Sequence, residues 1–564
     1  MADRLQAPPE LTSDGMARVP SLIRAGKLAE AQDVLRLRLA DAPDDSDAHY
    51  QLGVIAHRRL DPVTAHDHFR RATRGRPDNA ALRWNMASMS RLAGDAEGAL
   101  GALTELLALE PGHARGHAEL AGILDLLGRH GAAVSHARQA ALLARASSDE
   151  LTEIADRLLA LDCASEAAAC AARALEIDPK SLVARLSAAN AHAMQGDSAG
   201  AVARYRAILA DHPAVPAVLD NLGLVLLEQG ALVEAGHCFH RSLRLRRGRP
   251  LNEPADAYAD IPAVAAPSTA SSRMVMHRLV HDLGQIEHLR HRELLPGSFD
   301  HVAGAYRALI GRLGRAADDM TGFDLAPADL ASIGPWHDRL VRLDATGWRD
   351  QPAVNPSLDA AGIEDRWDAA NPHIVTVDGL LTGEALEALR RFCLNSTIWF
   401  EAKGAGYLGA YMKDGFNDPL LLRIVEELRQ RLPGILGRHT LRKMWAYSYA
   451  AGMHGINPHA DFAAVNVNFW ITPDSANLDP DSGGLIVYPK PVPAGWSFRD
   501  YNAAPADRIY EFLGPARAAG IRIPYRQNRA VIFDSGLIHE TDRFRFAPGH
   551  DNRRINITCL FGGR

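Results

Sequence analysis

The sequence predicts a multidomain α + β protein: an all-α repeat solenoid, a helical connecting region, and a C-terminal β-rich domain of the sandwich or jelly-roll barrel type. Three observations carry this expectation. Small and helix-breaking residues recur every 34 positions through the first 250 residues. The composition then shifts to Pro, Ala, Ser and Asp between Pro250 and Ser272. From His373 onward, short β-rich runs alternate with turn signals.

The repeat is dense. Prolines stand at Pro43, Pro77, Pro111, Pro179 and Pro213, and alanines at Ala31, Ala65, Ala99, Ala133, Ala167, Ala201 and Ala235. Glycines fall at Gly26, Gly94, Gly128, Gly196 and Gly230. A further position holds Gly53, Ala87, Ala121, Ala155, Ala189 and Gly223, and another holds Phe69, Leu103, Tyr205 and Phe239. A small residue in one helix admits its partner closely. Glycine breaks the chain between the two helices, and proline ends each pair because it cannot continue a helix. The pattern resembles the tetratricopeptide repeat, and seven units fit residues 12–249. That resemblance implies a right-handed stack with a concave surface, since no unit buries its own apolar face. It also implies a protein or peptide partner, with self-association into a homo-oligomer as the alternative. The sixth residues of successive units, Gln51, Asn85, Glu119, Glu153, Ser187 and Asn221, are all polar. They form either a partial ladder for a peptide backbone or a merely solvated face.

Residues 250–370 are expected to be a linker followed by helices, with apolar residues at helical spacing in MVMHRLVHDLGQI and VAGAYRALIGRL. His277, His281, His288 and His291 read as surface or packing residues, for no carboxylate ligand stands beside them. Trp336, Trp348 and Trp367 are expected to pin residues 319–370 to a neighbouring domain.

The third domain, residues 371–564, carries the chemistry. His459 and Asp461 are two apart, so at the end of an extended strand their side chains share a face. His539 follows the strand RAVIFDS after a Ser-Gly turn. Two histidines and one carboxylate form the facial set that binds Fe(II) and leaves positions open. In this context the residues from about 372 resemble the 2-oxoglutarate-dependent oxygenases, in particular the prolyl-hydroxylase-like branch. The resemblance implies a double-stranded β-helix (jelly-roll) barrel, with Fe(II) held by His459, Asp461 and His539, and 2-oxoglutarate and O2 as cosubstrates. It also implies a basic residue on the last strand for the far carboxylate of 2-oxoglutarate. Arg554-Ile555-Asn556 fits, and strand parity places Arg554, Asn556 and Thr558 on one face and Arg553 on the other; Arg553 is the fallback. Tyr449-Ala450-Ala451-Gly452 resembles the family's tyrosine-glycine step, and Tyr447 shares the parity of Tyr449. Asn466 and Asn468 line the pocket or serve packing, and Gly483-Gly484 implies close backbone approach. The loop between His539 and Arg554 is long enough to project over the site, and residues 403–415 read as a lid or an ordinary hairpin. His439, His454 and His550 read as structural or surface residues.

The expected activity is hydroxylation of a protein or peptide side chain recruited by the repeats. Halogenation is disfavoured because Asp461 fills the position a halide needs. The competing expectations are an oxygenase acting on a small or carrier-tethered molecule with repeats for oligomerisation, and a scaffold or sensor without turnover. A net charge of -6 gives no global attraction to nucleic acid. The basic run Arg244–Arg249 is expected to favour the negative end of a helix dipole. The cysteines at 163, 170, 238, 393 and 559 contain no CxxC, which argues against a disulfide framework or a thiolate metal site. MADRLQAPPEL has no signal-like pattern and no apolar run is long enough to span a bilayer, so no membrane and a reducing cytoplasm are expected.

Overall fold

The computed structural model describes residues 14–144, 147–254, 271–314, 322–450, 455–493, 496, 501–502 and 504–563. Most of the Pro/Ala/Ser linker, Ala451, Gly452, His454 and the first residues lie outside this set. Contacts divide the chain into two compact units, Met1–Arg204 and Tyr205–Arg564.

Among the described residues the repeat region has fourteen helices in seven consecutive pairs. The first three pairs are α1 (Asp14–Arg24) with α2 (Leu28–Asp41), α3 (Ser46–Arg58) with α4 (Pro62–Gly75), and α5 (Ala80–Leu92) with α6 (Ala96–Leu109). Next come α7 (Ala114–Leu126) with α8 (His130–Leu143), and α9 (Ser148–Ala160) with α10 (Ala164–Ile177). The last are α11 (Leu182–Met194) with α12 (Ser198–Asp211), and α13 (Pro216–Glu228) with α14 (Leu232–Arg247). Within the first unit each pair packs on the next, and its lattice alanines Ala31, Ala65, Ala99, Ala133 and Ala167 are fully buried. Close approach is visible where small meets large. A Cβ on Gly53 would lie 2.6 Å from the Phe69 ring, and one on Gly223 the same distance from Phe239.

The lattice glycines have a specific backbone role. Gly26, Gly94, Gly128, Gly196 and Gly230 all have φ between 74° and 79°. At the two lattice positions without glycine, Leu60 and Asp162 take the same left-handed conformation, at φ 61° and 58°. The hydrogen bond that closes the turn recurs too: Asp95 N–H donates to Ser90 O at 2.8 Å, and Asp61 N–H to Ala56 O at 3.0 Å. The helix end thus dictates the geometry, and glycine is the residue that meets it without strain.

In the second unit the last repeat pair precedes a connecting region. This contains β1 (Arg273–Met274), α15 (Met276–His291), α16 (Phe299–Leu313), β2 (Phe323–Asp324), α17 (Pro327–Ile333) and α18 (Ala360–Ala369). The basic run at the end of α14 does more than meet a helix dipole. Arg244 pairs with Glu253, Arg246 with Asp414 at 2.9 Å, and Arg247 with Asp338 at 3.3 Å. These pairs stitch the last repeat to later parts of the chain. Trp336 and Trp348 are buried, and Trp367 stacks on His373.

The β-rich region is ordered β3 (Ile374–Asp378), α19 (Gly383–Asn395), β4 (Glu401–Lys403), β5 (Tyr407–Tyr411), α20 (Pro419–Arg431), β6 (Leu441–Tyr449), β7 (Ala463–Trp470) and β8 (Leu485–Pro491). Then follow α21 (Ala506–Leu513), β9 (Ile521–Ile523), β10 (Arg529–Asp534), β11 (Leu537–Thr541) and β12 (Arg554–Gly563). Seven strands form an antiparallel sheet, β3-β10-β7-β12-β6-β5-β4, and three form a second, β11-β8-β9. Trp470 and Val531 from the large sheet share one buried cluster with Leu485, Val487 and Ile523 from the small one. All five cysteines are free and buried, and among the described residues no helix is long and apolar enough to cross a membrane.

Leu60 is 88% exposed, so it makes no packing that would offset its left-handed backbone. Leu60→Gly is expected to stabilise the array by about 1 kcal/mol, read as a rise in denaturant midpoint. Asp162→Gly should gain less, because aspartate tolerates this conformation better than leucine. A loss of stability in Leu60→Gly would contradict the strain assigned here.

Candidate metal centre

Three backbone hydrogen bonds bring the predicted ligands together. His459 and His539 form an antiparallel bridge in which each N–H donates to the other's carbonyl, at 3.0 and 2.8 Å. Asp461 N–H donates to Ser535 O at 2.9 Å, on the turn between β10 and β11. A register shift in β11 between Leu537 and His539 re-aims the second histidine. The ligand atoms of His459, Asp461 and His539 lie within 4.8 Å of one another, a spacing one cation can close with small side-chain rotations.

Hydrogen bonds also fix which ring nitrogen is available. His459 Nδ1 lies 2.8 Å from Asn457 O, and His539 Nδ1 lies 3.0 Å from Leu537 O. A carbonyl only accepts, so each Nδ1 carries a proton and each Nε2 is the nitrogen left to face a metal. His539 Nε2 stands 3.5 Å from Asp461 Oδ2. Burial, reinforced by His539, pushes His459 down to about 4 and keeps it neutral. Burial pushes the Asp461 carboxyl up, but His539, His459 and Asn466 more than offset it, leaving it below the usual range. Asn466 Nδ2 donates to Asp461 Oδ2 at 2.7 Å and orients the carboxylate.

The ligands open into a cavity of about 610 Å³ that also receives Arg554, Asn556, Thr558, Tyr449, Tyr447, Asn466 and Asn468. The register explains the grouping. β12 lies between β6 and β7, with Arg554 opposite Tyr449, Asn556 opposite both Tyr447 and Trp470, and Thr558 opposite Asn468. Alternate residues of three neighbouring strands therefore face one space. Arg554 is 1% exposed, and its hydrogen bonds go to neutral acceptors: Gly483 O at 2.7 Å, Gly484 O at 3.2 Å and Asn556 Oδ1 at 3.3 Å. Tyr449, Phe544 and Trp470 ring its guanidinium, at 4.7, 5.5 and 5.9 Å. Among the described residues no carboxylate pairs with it. Burial lowers its pKa, which the surrounding tyrosines partly oppose. The close approach at Gly484 is real, for a Cβ there would lie 1.9 Å from Ile523 O.

Neighbouring residues separate cleanly. Arg553 points to the opposite side, where its Nε donates to Ser448 Oγ at 3.0 Å and it lines a different cavity with His281, His288 and His550. Tyr449 sits against Arg554, whereas Tyr447 meets Tyr411, their hydroxyls 3.2 Å apart. Residues 403–415 include the β4–β5 hairpin, and Lys403, Tyr407 and Tyr411 line the site from it. In the loop before Arg554, Phe544 and Phe546 pack into one core cluster with Tyr449 and Trp470, and the residues that line the cavity lie outside this loop. Sequence reasoning missed Lys443 and Trp445, although the β6 parity that selected Tyr447 and Tyr449 includes them.

His277, His281 and His288 lie on α15 with buried side chains, so packing describes them better than surface. His281 Nδ1 faces Asp282 at 3.2 Å, and its ring meets that of His550 at 5.4 Å. Burial pushes His281 down to about 4, against the pull of Asp282.

Removing the hydrogen bond that orients Asp461, in Asn466→Ala, should weaken divalent-metal affinity about 10- to 100-fold in a calorimetric Co(II) titration. An unchanged affinity would deny Asn466 that role. For His281, an unfolded histidine near ~6.5 takes up a proton that the folded residue refuses. Stability therefore falls as pH drops from the unfolded value toward the folded one. His281→Gln is expected to flatten the dependence of the urea midpoint on pH across that window. An unaltered slope would exclude His281 as its source.

A family model described as a tetratricopeptide repeat matches residues 16–80 and 186–250. Similar solved structures include a tetratricopeptide repeat protein from Parabacteroides merdae, 18% identical over 41% of this chain and 91% of that one, with a TM-score of 0.34. Another is YrrB, described as a TPR protein with an unusual peptide-binding site, 17% identical over 32% of this chain and 92% of that one, TM-score 0.27. A thermophilic TPR protein of Thermus thermophilus is 22% identical over 32% of this chain and 97% of that one, TM-score 0.25. No curated protein matches the chain. On the family model and the fourteen paired helices, the N-terminal region is a set of tetratricopeptide repeats.

Proposed function

We propose that the second unit is a 2-oxoglutarate- and Fe(II)-dependent oxygenase built on a double-stranded β-helix, and that it hydroxylates a protein or peptide side chain recruited by the repeats. The observation that carries the reading is one cavity holding both a two-histidine, one-carboxylate set and a buried arginine that has no carboxylate partner among the described residues. The donor chemistry fits. Two imidazoles and one carboxylate suit Fe(II) and leave room for further ligands. A buried guanidinium met only by neutral acceptors costs free energy unless an anion joins it, and the far carboxylate of 2-oxoglutarate supplies one with a matching fork. The Oδ1 atoms of Asn466 and Asn468 are buried without a hydrogen-bond partner, leaving two acceptors for ligand or water in the same space.

Fe(II), with O2 and 2-oxoglutarate, would supply the oxidising chemistry, in which one oxygen atom enters a substrate C–H bond and the other enters succinate as carbon dioxide leaves. The chain's part is positioning. His459, Asp461 and His539 would hold the metal on one face, and Asn466 would steer Asp461. Arg554 would orient the cosubstrate from the inner end, with Tyr449, Trp470 and Phe544 excluding water around it. Repeat arrays of this kind act as protein-interaction scaffolds, which supports a polypeptide substrate.

The direct test is succinate formation by the full chain supplied with Fe(II), 2-oxoglutarate and oxygen. Turnover that disappears in His459→Ala supports the enzyme; none in the wild type favours a scaffold or sensor. Arg554→Ala should raise the 2-oxoglutarate requirement by about 10- to 100-fold, the loss of a charge-assisted pair, while Arg553→Ala leaves it far less changed. Equal effects would overturn the assignment of faces.

A further inference from the structure

The cavity has an outer end as well as an inner one. Alternation along β6 places Tyr449 beside Arg554 and carries Tyr447, Trp445 and Lys443 outward in steps of two. Lys443 pairs across β12 with Leu560, which pairs in turn with Asn466, the residue that holds Asp461. Lys443 therefore stands in the cross-strand row of Asn466, toward the metal ligands, while Arg554 stands at the far end of the same strands.

Charge at this rim is unbalanced. Lys403 and Lys413 share Glu401, at 2.6 and 3.6 Å. Arg442 is taken by Glu228 at 2.6 Å. Lys443 is exposed, lies over the rings of Tyr411 and Trp445 at 5.8 and 5.6 Å, and among the described residues forms no ion pair. The two rings face its ammonium without neutralising it, so the charge is left for an anionic partner.

A second cavity, of about 450 Å³, continues from this rim. Tyr411 and Lys443 line both spaces, and Asp220, Asn221 and Leu224 of α13 form its opposite wall. Leu224 is 48% exposed there, a large apolar side chain left open beside a polar one. The groove thus runs from the first helix of the last repeat pair, past Lys443, to the metal ligands.

We infer that the substrate is an acidic segment of polypeptide lying in this groove, with an aspartate or glutamate carboxylate on Lys443 and an adjacent residue presented at His459 and Asp461. This rests on the oxygenase reading for the metal ligands and adds the substrate class. A carboxylate fits because Glu401 already serves the two other lysines, and Asp461, the acid that most attracts Lys443, would be taken up by the metal. The run-on to α13 calls for a chain rather than a small anion. Leu224 and the Tyr411 ring give that chain apolar contacts on either side.

The test uses the full chain and fluorescein-labelled eight-residue peptides of alternating alanine and aspartate, read by fluorescence anisotropy. Matched peptides carry asparagine, lysine or phosphoserine in place of aspartate. The aspartate peptide is expected to bind at least about tenfold more tightly than the asparagine and lysine peptides, with the advantage shrinking as salt rises. Lys443→Met should abolish that preference and Lys443→Arg keep it, with thermal melts confirming that both fold. Equal binding of asparagine and aspartate peptides, no binding of any peptide, or a preference that survives Lys443→Met would overturn the inference. Tighter binding of phosphoserine would overturn the choice of carboxylate. Binding is read without turnover, so the two readings fail separately. Succinate formation without an aspartate preference sinks this inference alone, and the preference without succinate formation sinks the oxygenase reading alone.

Discussion

Much of the second unit depends on the hydrogen-bond register of one strand. β12 is paired along both edges, to β6 and to β7, so a slip of one residue would exchange its two faces entirely. That register sends Arg554, Asn556 and Thr558 into the cavity and Arg553 away from it. It also sets Tyr449 against the guanidinium and Asn468 against Thr558, with Asn468 Nδ2 donating to Thr558 Oγ1 at 2.9 Å. The candidate metal ligands depend on a separate clamp, the bridge between His459 and His539. The sheet supplies the depth of the pocket, and the bridge supplies its chemistry.

Those parts were legible in the sequence for physical reasons. Strand parity has a period of two, so a short string such as Arg553-Arg554-Ile555-Asn556 already sorts its side chains. The repeat lattice was legible because close helix packing and left-handed turns each restrict the residue at a fixed position. What parity cannot give is depth. Tyr447 and Tyr449 share a face, and only their partners across the sheet, Asn556 and Arg554, tell which one meets the arginine. Lys443 was hidden for the opposite reason: a lone lysine carries little local signal until its neighbours' charges are found to be spoken for.

The polar row through the repeats shows where a one-dimensional pattern misleads. Glu119 and Glu153 lie near arginines of adjacent repeats, Arg91 at 3.6 Å and Arg115 at 2.9 Å, while Ser187 is buried. A uniform ladder would need equivalent surroundings in each repeat, and these differ. The histidines of α15 make the same point from the other side. Their spacing announces no function, yet the helix buries the side chains of His277, His281 and His288. Sequence periodicity identifies a face; it does not say what the face meets.

The arginines at the end of α14 have a consequence for how this chain came to be organised. By sequence, the repeats stop near residue 249 and something else begins. By contact, the last pair is already part of the second body, held by Arg246 on Asp414 and Arg247 on Asp338. The final repeat thus keeps the repeat pattern while the arginine-rich end of α14 anchors it in the second body. A cut at the apparent boundary would remove that anchor, and a graft of the second unit onto another array would have to carry this repeat with it.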